Sequence, residues 1–424
     1  MTQVLRARAG EITPEMLAVA SAEKIPPEVV RERVARGTIV IPKNKNRQLK
    51  KICGIGEGLR VKVNALIGTS SDRDDPAMEE RKIRAALRAG ADAFMDLSTG
   101  GDIDGMRRLT LATAGVPVGS VPLYQAAVIA IEQRGSVVAM TAEDMFATIE
   151  KQAAAGLDFM AIHSALNFDV LKRLQETGRI TDIVSRGGAF LTGWMLHNQK
   201  ENPLYEQFDR LLEILLAYDV TLSVGDAIRP GCTADSLDAA QLQGLMVAGR
   251  LVARAQAAGV QVMVEGPGHV PLHHVPATML LQKRLCHQAP YYILGTLSTD
   301  IAPGYDHISA AIGAALAGQN GADFICYVTP AEHLGLPTEE DVYTGVMAAR
   351  LAAHAADLAR GNRSAWQKSR EMVQAGQQGN WQRYAELALD PHRLATALEQ
   401  QNREPCPVCG ENCLCVRAAA YLAG

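Results

Sequence analysis

Val220-Thr-Leu-Ser-Val-Gly-Asp-Ala227, the amphipathic stretch Ser236–Ala258 and Gln261-Val-Met-Val-Glu-Gly266 decide the fold. A short β-branched run ends in polar residues, an Ala/Leu-rich segment with helical spacing follows, and a second apolar run begins. That order is a βαβ unit, whose two strands lie parallel. Working outward, the same pattern predicts strands at Arg60–Gly68, Ala91–Ser98, Pro117–Pro122, Leu157–Ser164, Ile183–Phe190, Val220–Ala227, Gln261–Gly266, Tyr291–Ser298 and Phe324–Pro330. Between them fall helices such as Pro203–Tyr218 and Asp306–Gly318. The leading architecture is an α/β (β/α)8 barrel, and a doubly wound open sheet is the runner-up. Nine predicted strands exceed the eight of a barrel by one. No Gly-rich dinucleotide fingerprint follows the first strand, which weighs against the open sheet.

Residues 1–58 read as a helical segment opened by Pro26-Pro27 before Glu28-Val-Val-Arg-Glu-Arg-Val, then a Pro/Lys-rich loop. The barrel occupies 59–361. A C-terminal helical unit over 362–404 contains Ala365–Gln377 and Trp381–Leu398 behind the long helix Glu339–Arg360, and a cysteine tail fills 405–424. The chain has 424 residues, 48% hydrophobic and 21% charged, with net charge −4, so it resembles neither a nucleic-acid binder nor a membrane protein. The run Lys43, Lys45, Arg47, Lys50, Lys51 reads as a solvated face or subunit contact. The N-terminus lacks the apolar core of a signal peptide, and no stretch approaches a membrane span, so a reducing cytoplasm is the expected compartment.

Four of the eight cysteines crowd into Cys406-Pro-Val-Cys409-Gly-Glu-Asn-Cys413-Leu-Cys415, whereas Cys53, Cys232, Cys286 and Cys326 are isolated. Thiolates this close converge on a soft ion. A cubane iron–sulfur cluster with one open iron, a zinc knuckle and reactive thiols all satisfy the spacing.

Chemistry in a parallel barrel sits where strands end. His163, Ser185-Arg186-Gly187, Asp226, Arg229, Glu265-Gly-Pro-Gly-His269, Asp300, Tyr305-Asp306-His307 and His333 all fall at or just beyond strand ends. Singly, each has a plain structural reading: a scaffold histidine, a turn pair, a helix cap. Their recurrence at one topological position predicts a shared pocket. Hydroxyl, guanidinium and glycine N–H groups at Ser185-Arg186-Gly187-Gly188 suit a phosphate monoester. His269 and His333 are the leading zinc ligands, with His273 and His274 competing. Tyr124 and Tyr292 offer flat faces to a heterocycle.

Long motifs then carry a resemblance. Gly58-Leu-Arg-Val-Lys-Val-Asn-Ala-Leu-Ile-Gly-Thr-Ser70, Lys200-Glu-Asn-Pro-Leu-Tyr205, Glu265-Gly-Pro-Gly-His-Val-Pro271, Thr299-Asp-Ile-Ala-Pro-Gly-Tyr-Asp-His307 and Tyr327-Val-Thr-Pro-Ala-Glu-His-Leu-Gly-Leu-Pro337 resemble those of the thiamin pyrimidine synthase family. These are radical S-adenosylmethionine enzymes that rearrange aminoimidazole ribotide. The resemblance runs from about residue 50 to 415 and implies a homodimeric (β/α)8 barrel. It further implies an external electron donor and a [4Fe–4S] cluster on Cys406, Cys409 and Cys413 that binds S-adenosylmethionine. One residue fewer separates the second and third cysteines than in the long-form motif, so Cys415 competes with Cys413. The resemblance makes His269 and His333 ligands of a divalent metal, zinc being favoured. Met95, Tyr124, His163, Ser185, Arg186, Gly187, Asp226, Ala227, Ile228, Arg229, Glu265 and Tyr292 become substrate contacts. Glu265, Asp226 and His163 become the candidates for proton transfer.

Three departures bear on the product. Leu66 stands in Asn64-Ala-Leu66-Ile-Gly68 where pyrimidine-forming members have a second Asn, and Leu66 lacks that amide's two donors and one acceptor. Ser164-Ala165 replaces Ala-Gly, and Asp226-Ala227-Ile228-Arg229 replaces Asp-Gly-Leu-Arg. A more apolar pocket favours the family branch that makes 5-hydroxybenzimidazole, the lower-ligand precursor of anaerobic cobamides. Phosphomethylpyrimidine synthase is the alternative product assignment. A metal-dependent barrel hydrolase with a zinc-bound tail, or a non-catalytic iron–sulfur or zinc-ribbon protein, is the remote one.

Overall fold

Gly90-Ala-Asp92, Gly156-Leu-Asp158 and Gly321-Ala-Asp323 each convert a helix into a strand. In the computed structural model, which describes residues 1–400 (side chains to 398), the three aspartates are buried. Each accepts a backbone N–H from the neighbouring strand: Val63 at 3.1 Å, Val118 at 2.8 Å and Tyr291 at 3.1 Å. Each is also neutralised by a base: Asp92 by Arg60 and Lys51, Asp158 by Arg47, and Asp323 by Lys283 at 2.5 Å. A carboxylate can be buried this way because its charge is paired and its lone pairs are used.

Eight parallel strands result: β1 (Lys62–Ile67), β2 (Ala93–Asp96), β3 (Val118–Ser120), β4 (Phe159–Ile162), β5 (Thr221–Val224), β6 (Val262–Gly266), β7 (Tyr291–Leu294) and β8 (Phe324–Cys326). They pair in chain order, and β8 closes on β1 with Phe324 opposite Lys62 and Cys326 opposite Asn64. The barrel therefore replaces the open sheet.

The ninth predicted strand, Ile183–Phe190, is absent. Only Ile183 and Val184 are β-branched there, and Ser185 instead caps the helix Arg186–Asn198, its hydroxyl accepting the Gly188 N–H at 3.2 Å. Gly188 allows this start, because a Cβ at that position would meet the Ala227 carbonyl oxygen at 1.9 Å. Two predicted helices are also divided. Pro203–Glu206 and Phe208–Tyr218 separate at Gln207, and Trp381–Leu387 and Pro391–Gln400 separate before Pro391.

Inside the barrel, Gly119 on β3 leaves room for the Phe159 ring, which a Cβ there would meet at 2.3 Å. Phe159 stands edge-on to Phe324 (6.2 Å between centroids), and Phe324 lies 4.5 Å from the Tyr292 ring. Tyr292 in turn accepts the Asn64 amide at 2.8 Å. These residues floor the open end of the barrel.

Residues 1–58 form the helices Gln3–Arg8, Pro14–Glu23 and Pro27–Arg36 and a two-stranded antiparallel sheet pairing Ile39–Val40 with Ile55–Gly56. The basic run is a solvated face in part: Lys45, Lys50 and Lys51 are exposed, whereas Arg47 is buried and Lys43 half-buried. Arg47 is buried against Asp158, Lys43 meets Glu15 at 3.1 Å and Lys51 meets Asp92 at 3.2 Å. Asp158 and Glu15 draw Arg47 and Lys43 inward, while Lys51 reaches Asp92 from the surface. The chain divides into two compact units, residues 1–362 and 363–424. Among the described residues no helix is long and apolar enough to cross a membrane. The tail with Cys406, Cys409, Cys413 and Cys415 lies outside the described residues.

Candidate active site

Strand ends bring Leu66, Met95, Tyr124, His163, Arg229, Glu265 and Tyr292 around one pocket, with Leu97, Val121, Leu294 and Cys326 completing the wall. The residues come from β1, β2, β4, β6, β7, β8 and the adjoining loops, so no single segment contains the site. Its wall is largely apolar, with a few polar groups aimed inward, as small-molecule pockets usually are.

His163 lies just past β4 and is buried. Burial pushes its imidazole down to about 3, and Arg229 adds to the effect, so the ring is neutral at pH 7. Its Nε2 is 3.2 Å from the Ser185 hydroxyl, while buried Nδ1 has no partner. Gly187 fits because a Cβ there would meet this ring at 2.3 Å. The N-terminus of Arg186–Asn198 is thereby packed against His163, although Ser185, Arg186 and Gly187 do not themselves line the pocket. Arg186 lies over the Tyr124 ring at 5.1 Å.

Glu265, on β6, accepts the Asp226 N–H at 3.1 Å. Burial pushes its carboxyl up to about 7 against the pull of Arg229, and burial likewise raises Asp226 to about 6. A carboxyl poised near neutrality can hold or release a proton. Arg229 reaches the Asp226 carbonyl at 3.5 Å, which differs from the side-chain pair expected across the turn. Asp226, Ala227 and Ile228 face a second, small cavity behind the loop, which shares Glu265 with the first pocket. Ile228 abuts Gly244, where a Cβ would lie 3.0 Å from its Cδ1.

His269 and His333 stand at the barrel rim with centroids 5.9 Å apart. Asp300 Oδ1 holds His269 Nδ1 at 2.8 Å, and Asp306 Oδ1 holds His333 Nδ1 at the same distance. Both rings therefore keep Nε2 for ligation, the arrangement that orients metal-binding histidines. Although burial works against it, hydrogen bonds from Thr233 and His269 keep Asp300 below the usual carboxylate range. Among the described residues no group of three His, Cys, Asp or Glu converges. His273 and His274 pair with each other, their centroids 4.2 Å apart.

Asp300 and Asp306 were visible in the sequence as strand-end groups, but their orienting role was not. A histidine that binds a metal through one ring nitrogen needs an acceptor for the other, and that requirement is the signal that points to them. Cys326, isolated in the sequence, lines the pocket, its thiol pushed up to about 12 by burial.

The chain matches the model of the Radical SAM ThiC family over residues 2–419. It is 71% identical over 423 residues to a protein of Moorella thermoacetica named 5-hydroxybenzimidazole synthase BzaB, covering 100% of this chain and 99% of that one. A 5-hydroxybenzimidazole synthase BzaB of Eubacterium limosum is 59% identical, covering 97% of both chains. A phosphomethylpyrimidine synthase of Moorella thermoacetica is 56% identical, covering 100% of this chain and 98% of that one. With a family match of this extent and a closed barrel to carry it, the chain belongs to the Radical SAM ThiC family of enzymes.

Proposed function

We propose that this enzyme converts 5-aminoimidazole ribotide to 5-hydroxybenzimidazole, the lower-ligand precursor of anaerobic cobamides. The observation that carries the product assignment is the pocket wall, where Leu66 stands among Met95, Leu97, Val121 and Leu294. An apolar wall fits a benzimidazole better than an aminopyrimidine, whose polar edge would lose its hydrogen bonds there. The greater identity to one Moorella thermoacetica protein than to its pyrimidine-forming neighbour supports the same reading.

Cys406, Cys409 and Cys413 would hold the [4Fe–4S] cluster, which when bound supplies the electron that splits S-adenosylmethionine into methionine and a 5′-deoxyadenosyl radical. Ser185, Arg186 and Arg229 bind the ribotide phosphate through hydroxyl, helix N–H and guanidinium groups. Tyr124 and Tyr292 flank the heterocycle. Neutral His163 offers unpaired Nδ1 as a hydrogen-bond partner, and Glu265 exchanges a proton near neutral pH. Asp226 hydrogen-bonds through the β5 loop, and its neighbours Ala227 and Ile228 shape that loop from behind. His269 and His333 would hold a divalent ion, zinc being favoured, as an electrostatic anchor at the rim. The reading includes an external electron donor, a homodimer and a cytoplasmic setting whose reducing conditions keep the thiolates available.

Anaerobic incubation with aminoimidazole ribotide, S-adenosylmethionine and reductant, followed by product mass and fluorescence, tests it. Fluorescent 5-hydroxybenzimidazole is the expected product. A phosphorylated aminopyrimidine as sole product would overturn the assignment, and full turnover by a Cys409→Ala variant would overturn the cluster chemistry.

A further inference from the structure

The loop after β5 carries Asp226 and Arg229 and then runs outward through Thr233, where both oxygens of Asp300 meet it and the metal-site imidazole. Asp300 Oδ2 accepts the Thr233 backbone N–H at 2.8 Å and its hydroxyl at 2.6 Å. Asp300 Oδ1 pairs with His269 Nδ1 at 2.8 Å. Two residues beyond Thr233 the loop is pinned again. Asp235 accepts the N–H groups of Ile180 (3.0 Å) and Thr181 (3.1 Å) and the Thr181 hydroxyl (2.8 Å). Arg179 pairs with Asp238 and donates to the Ile228 carbonyl at 2.6 Å. One loop is thus tied to the imidazole on one side, and on the other to the segment that enters the Ser185 cap.

We propose that Asp300 and Thr233 form a clasp coupling metal occupancy at His269 to ribotide binding, with Thr233 as a positioning residue. The proposal rests on reading His269 as a metal ligand and the strand-end pocket as the ribotide site. A cation on Nε2 makes the Nδ1–H a stronger donor and shortens its bond to the carboxylate. That fixes the Asp300 orientation, and the same orientation presents Oδ2 to Thr233. With the ion removed, the imidazole is freer to turn and Asp300, exposed at the rim, to follow it. The loop then loses its outer anchor, and Asp226 and Arg229 lose their fixed placement. Coupling of this kind is reciprocal, because both ligands draw on one loop arrangement.

Isothermal titration of the full chain with aminoimidazole ribotide, without S-adenosylmethionine, compares zinc-loaded with chelator-stripped protein. Zinc should tighten ribotide binding about tenfold, within the roughly 5–150-fold span usual for coupled sites, and ribotide should tighten zinc by the same factor in a chelator competition. Thr233→Val, which loses the hydroxyl but keeps the backbone N–H to Asp300, should cut that factor to about threefold or less and weaken zinc binding without ribotide by no more than about threefold. Hydrogen exchange over residues 229–238 should slow with zinc in the parent and change little in the variant. Absence of coupling in the parent would overturn the clasp, as would full coupling in Thr233→Val or abolition of zinc binding in that variant without ribotide. Failure of zinc-loaded protein to bind ribotide would overturn the functional reading itself. Binding of both ligands without coupling would sink only the clasp.

Discussion

Replacing Leu66 by Asn tests whether the pocket wall selects the product. Leu66 stands opposite Met95 in the β1–β2 register and is half-buried, facing the cavity beside Leu97, Val121 and Leu294. An amide at that point brings two donors and an acceptor to an apolar wall. Once a ring fills the pocket, an unmatched polar group costs about 1–3 kcal/mol. At about 1.36 kcal/mol per decade, benzimidazole formation should fall roughly 5- to 150-fold in kcat/KM. Leu66→Met keeps the volume and polarity and should cost less than about 1.5 kcal/mol. Anaerobic turnover is followed by fluorescence of the benzimidazole, with 5′-deoxyadenosine counting initiation events. Initiation should persist in Leu66→Asn while benzimidazole falls, and thermal unfolding should barely move because the side chain lines a cavity. A Leu66→Asn enzyme within about threefold of the parent's kcat/KM would refute the reasoning.

Three further outcomes follow from buried groups. Glu265 has its carboxyl raised from 4.5 to about 7 by burial, so between those values the folded chain keeps a proton that the unfolded chain has lost. Its contribution to stability therefore declines as pH rises through that window; Glu265→Gln should show a smaller fall in urea midpoint between about pH 5 and about pH 8 than the parent, and an equal fall would contradict the assignment. Asp158→Asn leaves Arg47 buried without its partner and should cost about 3–5 kcal/mol in urea unfolding, an unchanged midpoint being the contrary result. Gly119→Ala drives a methyl into the Phe159 ring and should cost about 1–3 kcal/mol. The loss should shrink in a Phe159→Leu background, and full additivity would show that the two do not meet.

Alternation of β-branched runs with Ala/Leu-rich helices was enough to predict the barrel, because strand and helix periodicity are local properties of the chain. Eight of the nine predicted strands contain a barrel strand. Ile183–Phe190 failed because capping by Ser185 depends on a glycine pair seated against His163 and Ala227, contacts no local pattern reveals. The strand-end groups His163, Arg229 and Glu265 were legible for a topological reason: parallel strands all end on one face. Tertiary structure alone decided how they meet. It placed His163 in the burial that keeps it neutral, set Glu265 against the Asp226 N–H, and turned Ala227 and Ile228 toward a second cavity. It also brought His269 and His333, which are 64 positions apart, to the same rim and supplied each with its own carboxylate. The cysteine spacing could be read from sequence because spacing is local to the chain. Charge, desolvation and hydrogen-bond partners could not, because they depend on which distant segments the closing barrel brings together.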